Sequence, residues 1–332
     1  MKTKIAIVGY GNVGKSIEKL AVKSEDFEVV GIFSRRNGTT SPFGTNVYLQ
    51  STLLDAGFSG KIDVALLAVG SAFDLIDTAK KVGVRYNFVD CFDTHAKMRE
   101  YLKDMNLICR ACETLALVGC GWDPGLFSLE RALLFAVVPN SIPQTFWGKG
   151  VSQGHSEAIR NLDGVKYATQ YTIPIESAVQ AAKEERVDFL PSEKHLRECF
   201  VVLDCSKYFG KETVSDEEKR RLECQIREQI ENMPNYFADY QTTVHFVSEE
   251  EYLKNHVKAY HAGEVIACSR DGAKSVAEFS LKLDSNPDFT ANVMLACAKA
   301  NHRMWRAGET GAKTLLDVPV KYLLDGDGVD YV

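Results

Sequence analysis

Apolar residues in the first 120 positions fall into short unbroken runs separated by spaced sets, and the two patterns alternate. Residues 4–9 form a run rich in β-branched side chains, and residues 12–23 place Val13, Ile17 and Leu20 on one helical face. The alternation continues with strands expected at 28–34, 63–69, 87–90 and 115–119 and helices at 72–82 and 94–112. The run at 63–69 is almost wholly apolar, as a strand covered on both faces should be. This order predicts a parallel sheet with right-handed crossovers, so an α/β, Rossmann-type domain is expected over residues 1–120.

Beyond Gly121 the texture changes. Strand patterns at 144–147, 168–173, 198–204, 240–247, 264–269 and 276–283 lack regular intervening helices, while helices are expected at 123–137, 175–185, 215–232 and 286–308. A second, α+β domain with a mixed or antiparallel sheet is expected over 121–289. The segment 290–332 is expected to pack back on the first domain.

The chain has 332 residues, 45% hydrophobic and 25% charged, which is enough apolar material for two cores of ordinary size. A formal net charge of −6 without a long Lys/Arg run argues against nucleic acid or a membrane surface as partner. The apolar run at 5–8 is too short for a signal-peptide core, and no later run approaches the roughly 18 residues of a membrane span. A cytoplasmic protein is expected. The nine cysteines read as reduced, mostly buried thiols. Cys109 and Cys112 have C-x-x-C spacing, but no second pair completes a zinc set and the pair sits late in a helical pattern, so no metal is expected.

Gly9-Tyr10-Gly11-Asn12-Val13-Gly14 matches G-x-G-x-x-G. The pattern is weak alone, but here it follows a strand and opens a helix, the context in which it signals a dinucleotide. Gly9 permits the tight turn, Gly11 lets a pyrophosphate approach, and Gly14 lets helix and strand pack closely. Gly9, Tyr10, Gly11, Asn12 and Val13 are the expected contacts. An NAD site carries Asp or Glu at the end of the second strand, whereas this chain has Ser34-Arg35-Arg36. A hydroxyl and two guanidinium groups suit a 2′-phosphate, so NADP is the expected cofactor. Ala68, Val69, Gly70 and Ser71, with Cys91 and Phe92, lie at strand ends along the sheet's carboxyl edge, where such folds take ligands.

Other segments are more distinctive: Val89-Asp90-Cys91-Phe92-Asp93-Thr94-His95, Gly121-Trp122-Asp123-Pro124-Gly125, Phe146-Trp147-Gly148, Ser152-Gln153-Gly154-His155-Ser156, Tyr171-Thr172-Ile173-Pro174, Arg197-Glu198-Cys199-Phe200, and Leu283-Asp284-Ser285-Asn286-Pro287-Asp288-Phe289. With these the chain resembles the meso-diaminopimelate dehydrogenase family from residue 4 to 316, more weakly at 37–60, 184–194 and 206–220. The resemblance implies a Rossmann-type domain, a second domain for substrate binding and dimerisation, and hence a homodimer. It also implies NADP-dependent oxidative deamination of the D-centre of meso-2,6-diaminopimelate, reversible as a reductive amination.

By the same resemblance Asp93 and Asp123 hold the amino group that leaves, and carboxylates there suit a developing iminium or a proton transfer. Asp123 has an ordinary alternative as N-cap of a helix starting at Pro124. Thr172, Arg197 and His261 are assigned to the distal L-centre. Arg197 suits a bidentate carboxylate, unless it makes a surface ion pair with Glu198 or Glu193. His261 is placed in a loop, Tyr260-His261-Ala262-Gly263. Trp122 and Trp147 are expected pocket walls, with Pro124 and Gly125 beside them. Gln153 and Gly154 are expected to offer backbone N–H groups to a carboxylate from a loop. Lys274 departs from the family, which tends to carry a neutral polar residue at the position aligned with it.

Three other readings compete. Gly150-Val151-Ser152-Gln153-Gly154 fits the G-x-S-x-G nucleophile elbow of hydrolases. An NADP-binding dehydrogenase of another amino or semialdehyde substrate would share the layout. A non-catalytic NADP sensor would need the glycines and arginines but none of the acidic or distal residues.

Overall fold

The computed structural model describes residues 2–70, 72–257, 260–269, 273–326 and 328–332; for Ala72, Phe73 and Gln153 only the backbone is described. The chain divides into two compact units, Met1–Ala132 with Asn286–Val332, and Leu133–Ser285.

The elements up to the end of the first crossing run β1 (Thr3–Val8), α1 (Asn12–Ala21), β2 (Phe27–Ser34), β3 (Val47–Leu49), β4 (Val64–Leu67), α2 (Ala72–Gly83), β5 (Asn87–Asp90), α3 (Met98–Ala111), β6 (Leu115–Leu117) and α4 (Leu126–Val137). Next come β7 (Gln144–Trp147), β8 (Gly150–Val151), α5 (Gln153–Arg160), β9 (Val165–Pro174), α6 (Glu176–Glu184), α7 (Pro191–Lys194), β10 (His195–Leu203), α8 (Cys205–Phe209), α9 (Asp216–Glu231), β11 (Thr242–Phe246), α10 (Glu249–Asn255), β12 (His261–Ser269) and β13 (Ser275–Leu283). The chain ends with α11 (Asn286–Arg306) and β14 (Gly311–Lys313).

The first unit is built on a seven-stranded parallel sheet ordered β14-β6-β5-β4-β1-β2-β3. Period-two alternation along β1 divides its side chains between two cores. Ile5 and Ile7 join Ile17, Leu66, Met294 and Ala298 on one face, while Ala6 and Val8 join Leu67, Leu75 and Met105 on the other. Every residue of β4 is buried, which explains its unbroken apolar run. On the first face α11 presents Thr290, Ala291, Met294, Ala298 and Met304. The amide of Asn301 reaches between two strands and donates from Nδ2 to the carbonyls of Phe88 (3.1 Å) and Leu115 (3.0 Å).

Several expected boundaries move. The first unit continues through Ala132 rather than stopping at 120, and the chain past that point stays beside α11, where a Cβ on Gly121 would lie 4.0 Å from Thr290 Cγ2. The helix expected at 94–112 begins at Met98, after a single 3₁₀ turn at His95–Lys97. The helix expected from 123 begins at Leu126, because residues 121–125 close on themselves; Gly121 N donates to the Pro124 carbonyl and Leu126 N to the Gly121 carbonyl, both at 3.0 Å.

In the second unit one sheet has the order β11-β10-β9-β8 and the other β13-β12-β7. The β10–β11 pair is parallel and the remaining pairs are antiparallel, giving a mixed four-stranded sheet. Leu222, Ile226 and Ile230, four residues apart along α9, pack on Ala168, Cys199 and Val201 of that sheet. Ser215 and Glu218 cap the start of α9 reciprocally. No helix among the described residues is long and apolar enough to cross a membrane.

Candidate functional site

The glycine turn after β1 has the geometry that a nucleotide diphosphate needs. Gly9 adopts φ +93°, and a Cβ there would lie 2.5 Å from the Ala68 carbonyl oxygen. A Cβ on Gly14 would lie 2.2 Å from the Gly9 carbonyl oxygen, so the close packing of α1 on β1 requires glycine. Gly11, by contrast, faces open space, and it is the N-cap of α1 without a side-chain cap and with no acidic residue in the first turn. Free amides and the positive helix end are thus left for an anion.

Tyr10 and Phe92 turn their side chains into the protein. Both rings are buried, Phe92 against Tyr101 with centroids 4.5 Å apart, so their main chains alone are available to a cofactor. Tyr10 OH donates to the carboxylate of Glu18, as does Ser41 Oγ. Ser41 Oγ in turn accepts from Phe43 N at 3.0 Å and Thr45 N at 3.2 Å. Fully buried Glu18 thereby anchors the loop after β2 to the glycine turn, and burial beside it pushes the Tyr10 hydroxyl up to about 12.

Ser34 is buried at the end of β2 and accepts from Arg36 N at 3.1 Å, shaping the loop. Arg35 and Arg36 are exposed beyond it. Arg35 Nη2 pairs with Asp74 Oδ2 at 2.9 Å, a solvated contact of small energetic weight. No carboxylate ends β2, so the ribose side fits a 2′-phosphate better than a 2′-hydroxyl. Ala68, Val69 and Gly70 follow β4 at the same sheet edge, and Cys91 follows β5; Ser71 lies outside the described residues.

At that edge Asp93 is exposed in the loop after β5, its carbonyl accepting from His95 N at 3.0 Å. Asp123 is not at the N-cap position expected of it, since α4 begins three residues later at Leu126. Its side chain, 1% exposed, is gripped by Arg131 of α4 instead, and Arg131 Nη2 also donates to Ser128 Oγ at 3.1 Å. Trp122 packs edge-on against Phe127, centroids 5.2 Å apart, and Pro124 and Gly125 complete the closed turn.

In the second unit, Thr172 on β9 and Arg197 on β10 are directly paired across the strands. Thr172 Oγ1 accepts from Arg197 Nη1 at 2.5 Å and from Gln170 Nε2 at 3.3 Å. With both lone pairs used, its hydroxyl proton is available to an incoming acceptor. Arg197 is 7% exposed, stacks on Tyr240 with Cζ 4.1 Å from the ring centre, and has no acidic partner among the described residues. Its Nε is buried without a hydrogen-bond partner. The surface pairs entertained from sequence do not form: Glu198 meets His245 at 3.3 Å, and Glu193 accepts from Leu190 N at 2.7 Å. A desolvated guanidinium with an unmatched donor is a site prepared for an anion.

Trp147 stacks on His195, centroids 5.3 Å apart, and its backbone N donates to His195 Nε2 at 2.9 Å. His261 is not in a loop: it opens β12, is 6% exposed, and burial lowers its pKa. The Ser152–Ser156 segment is likewise no loop. Ser152 is the N-cap of α5 but does not cap it, because Oγ bonds His155 Nδ1 at 2.7 Å. The first-turn amides of Gln153 and Gly154 are left to other acceptors. The His155 ring is flanked by Tyr236 and Phe237, at 5.2 and 5.4 Å, rather than by the carboxylate a hydrolase triad would use. Lys274 is exposed in the hairpin between β12 and β13. No cluster of three His, Cys, Asp or Glu suited to a metal occurs among the described residues.

A family model described as the diaminopimelic acid dehydrogenase C-terminal domain matches residues 121–285. The meso-diaminopimelate D-dehydrogenase of Acetivibrio thermocellus is 44% identical, covering 97% of this chain and 94% of that protein. The enzyme of the same name from Corynebacterium glutamicum is 39% identical over 98% of this chain and 97% of its own length. The chain belongs to the meso-diaminopimelate dehydrogenase family.

Solved structures of the family agree. The C. glutamicum DAP dehydrogenase in complex with DAP superposes with a TM-score of 0.88 at 37% identity, covering 99% of this chain and 98% of that one. An engineered D-amino acid dehydrogenase bound to NADP+ gives 0.84 at 36% identity, again over 99% and 98%. Against this family background four side chains stand out that sequence reasoning did not assign: Glu18, Asp90, Arg131 and Gln170. A carboxylate on the buried face of α1 was a visible signal for Glu18. The spacing of Arg131 from Asp123 gave none, because the closed turn at 121–125 was not foreseen.

Proposed function

We propose that the chain is an NADP-dependent amino-acid dehydrogenase that converts the D-centre of meso-2,6-diaminopimelate to a keto acid. The products are L-2-amino-6-oxopimelate, ammonium, NADPH and a proton, and the reverse direction is reductive amination feeding lysine and peptidoglycan precursors. The observation that carries the substrate class is Arg197, a buried cation with an unmatched donor and no acidic partner among the described residues. A monocarboxylic amino acid bound by its reacting end would leave such a group unused; a substrate with a second carboxylate uses it.

Gly9, Gly11 and the first turn of α1 hold the pyrophosphate in this reading, and Ser34, Arg35 and Arg36 take the 2′-phosphate. When bound, NADP+ accepts two electrons and the α-hydrogen of the D-centre. The ammonium group gives up one proton to solvent, the carbon–nitrogen bond becomes an iminium as the α-hydrogen leaves with its electron pair, water adds to that carbon, and the nitrogen takes up a proton from the added water and departs as ammonium as the carbonyl forms. Asp93 and Asp123 bind the departing amino group and stabilise its positive charge throughout. Thr172, Arg197 and His261 fix the distal carboxylate, so only one of the two centres is presented for oxidation. Trp122 and Trp147 exclude water, and the amides of Gln153 and Gly154 bind carboxylate oxygen. Lys274, exposed in its hairpin, offers a charge that either pairs with the distal carboxylate or stays in water.

A homodimer in the cytoplasm belongs to the same reading, and light scattering of the purified protein tests the dimer. The reaction is tested by NADPH absorbance with meso-diaminopimelate and NADP+ or NAD+, the LL and DD isomers serving as controls. Formation with the meso isomer and NADP+, and little with NAD+ or the LL isomer, is the expected result. Absence of signal from protein that binds NADPH would move the assignment to another substrate.

A further inference from the structure

We propose that Asp90 is a positioning residue for the deamination, its carboxylate fixing relative to each other the two loops that carry Asp93 and Asp123. The proposal rests on the reading that those two acids hold the departing amino group.

Asp90 is the last residue of β5 and is fully buried. One oxygen, Oδ1, accepts from both loops: from Phe92 N at 3.0 Å, next to Asp93, and from Gly119 N at 2.9 Å, on the path to Asp123. The other, Oδ2, accepts from Tyr101 OH of α3 at 2.5 Å. The carbonyl of the same residue accepts from Cys120 N at 2.7 Å. Gly119 leaves little room beside it: a Cβ there would lie 2.8 Å from Met98 Cε of α3 and 3.5 Å from the Phe92 carbonyl oxygen.

A buried carboxylate is costly, and no cation pairs with Asp90 among the described residues. Burial raises its pKa to about 6, opposed by the bonds from Tyr101, Gly119 and Phe92. Simple stitching of neighbouring strands does not require such a group. At the opposite end of β5, neutral Asn87 does it, accepting from Leu115 N at 2.9 Å and donating to the Asp63 carbonyl at 3.1 Å. What distinguishes Asp90 is that three donors converge on an acceptor-only group. Two of those donors are backbone amides in separate loops that each bear one of the acids. A shift of roughly 1 Å at such acids can cost about a hundredfold in rate.

The test compares the wild type with Asp90→Ala, Asp90→Asn and Tyr101→Phe, measuring kcat and KM for meso-diaminopimelate and, separately, NADPH affinity by fluorescence titration. Asp90→Ala should lower kcat about 100-fold. Asp90→Asn retains an oxygen for the two amides and should recover to within about fivefold, while Tyr101→Phe should lose about three- to tenfold. NADPH affinity should fall clearly less than kcat in all of them, because the glycine turn and the Ser34–Arg36 segment make no contact with this group, which meets the cofactor edge only through Phe92 N. If Asp90→Ala does not fold, the other two variants still decide the matter. Wild-type kcat in Tyr101→Phe together with no recovery in Asp90→Asn would overturn the proposal, as would losses that fall equally on NADPH affinity. An inactive wild type would overturn the substrate reading and this proposal with it, whereas an active wild type with unaffected variants would remove only the role of Asp90.

Discussion

Arg131 grips Asp123 by both carboxylate oxygens, Nη2 to Oδ1 at 2.6 Å and Nη1 to Oδ2 at 3.1 Å. Such a planar fork sets the carboxylate's rotamer and keeps a positive charge beside it. Arg131→Met should therefore lower kcat/KM for the amino substrate by about 10- to 100-fold. Arg131→Lys, which offers a charge but no fork, should fall between the two. Steady-state kinetics decides this, and an unchanged kcat/KM in the Met variant would show that Asp123 is oriented without Arg131.

Cofactor choice should follow Arg35 and Arg36. Replacing both by Ala removes charge-assisted bonds worth about 1.5–3 kcal/mol each, so KM for NADP+ should rise by about 10²-fold or more. KM for NAD+ should change little. Equal losses for the two cofactors would refute the 2′-phosphate assignment. The exposed Arg35–Asp74 pair competes with the phosphate, and Asp74→Asn is expected to tighten NADP+ by a few-fold.

Function and stability should pull in opposite directions at Arg197. The wild-type protein buries a guanidinium without an acidic partner among the described residues, and an apolar replacement removes that desolvation cost. Arg197→Met is expected to hold or raise the melting temperature while raising KM for meso-diaminopimelate by about 100-fold or more. Small D-amino acids without a second carboxylate should be affected far less. A parallel fall in stability and in activity toward both substrate types would argue against the anion-binding role.

Acidification should weaken the second unit through His195. The ring is fully buried, accepts from Trp147 N, and burial lowers its pKa from 6.5 to about 4. Because the folded value lies below the unfolded one, the stabilisation is present above about pH 6.5 and is lost as pH falls through 4, amounting to about 3 kcal/mol. Thermal melts of the wild type and His195→Asn across that range test it. The wild type should lose more on acidification than the variant. Asp90, with its raised pKa, acts in the opposite sense between about 4 and 6, so the difference between the two proteins is the quantity to compare.

The parallel half was legible because its signals are local. The apolar run ending at Leu67 and the spacing of Val13, Ile17 and Leu20 each report on a single element. β3 and β14 escaped notice because each is a short, only partly buried edge strand, whereas β6, equally short, is wholly buried and reads as an apolar run. α5 escaped because its start, Ser-Gln-Gly-His, has the composition of a loop, and the helix is held by the contacts of His155 with Tyr236 and Phe237, far away in sequence. The same holds within the site. Arg197 and Thr172 could be named from the family resemblance, but their pairing depends on the β9–β10 register, and the fork from Arg131 depends on a turn whose closure no periodicity announces.

The return of the chain through α11 to β14 has a consequence for biogenesis. The sheet that carries the glycine turn gains its outermost strand, at Gly311–Lys313, only after the whole of Leu133–Ser285 has been made. The amide of Asn301 that bridges Phe88 and Leu115 arrives equally late. On the ribosome, the nucleotide-binding half must wait, incomplete at one edge, while the inserted half is synthesised. Truncations near residue 300 would remove a structural wall of the cofactor domain rather than a dispensable tail.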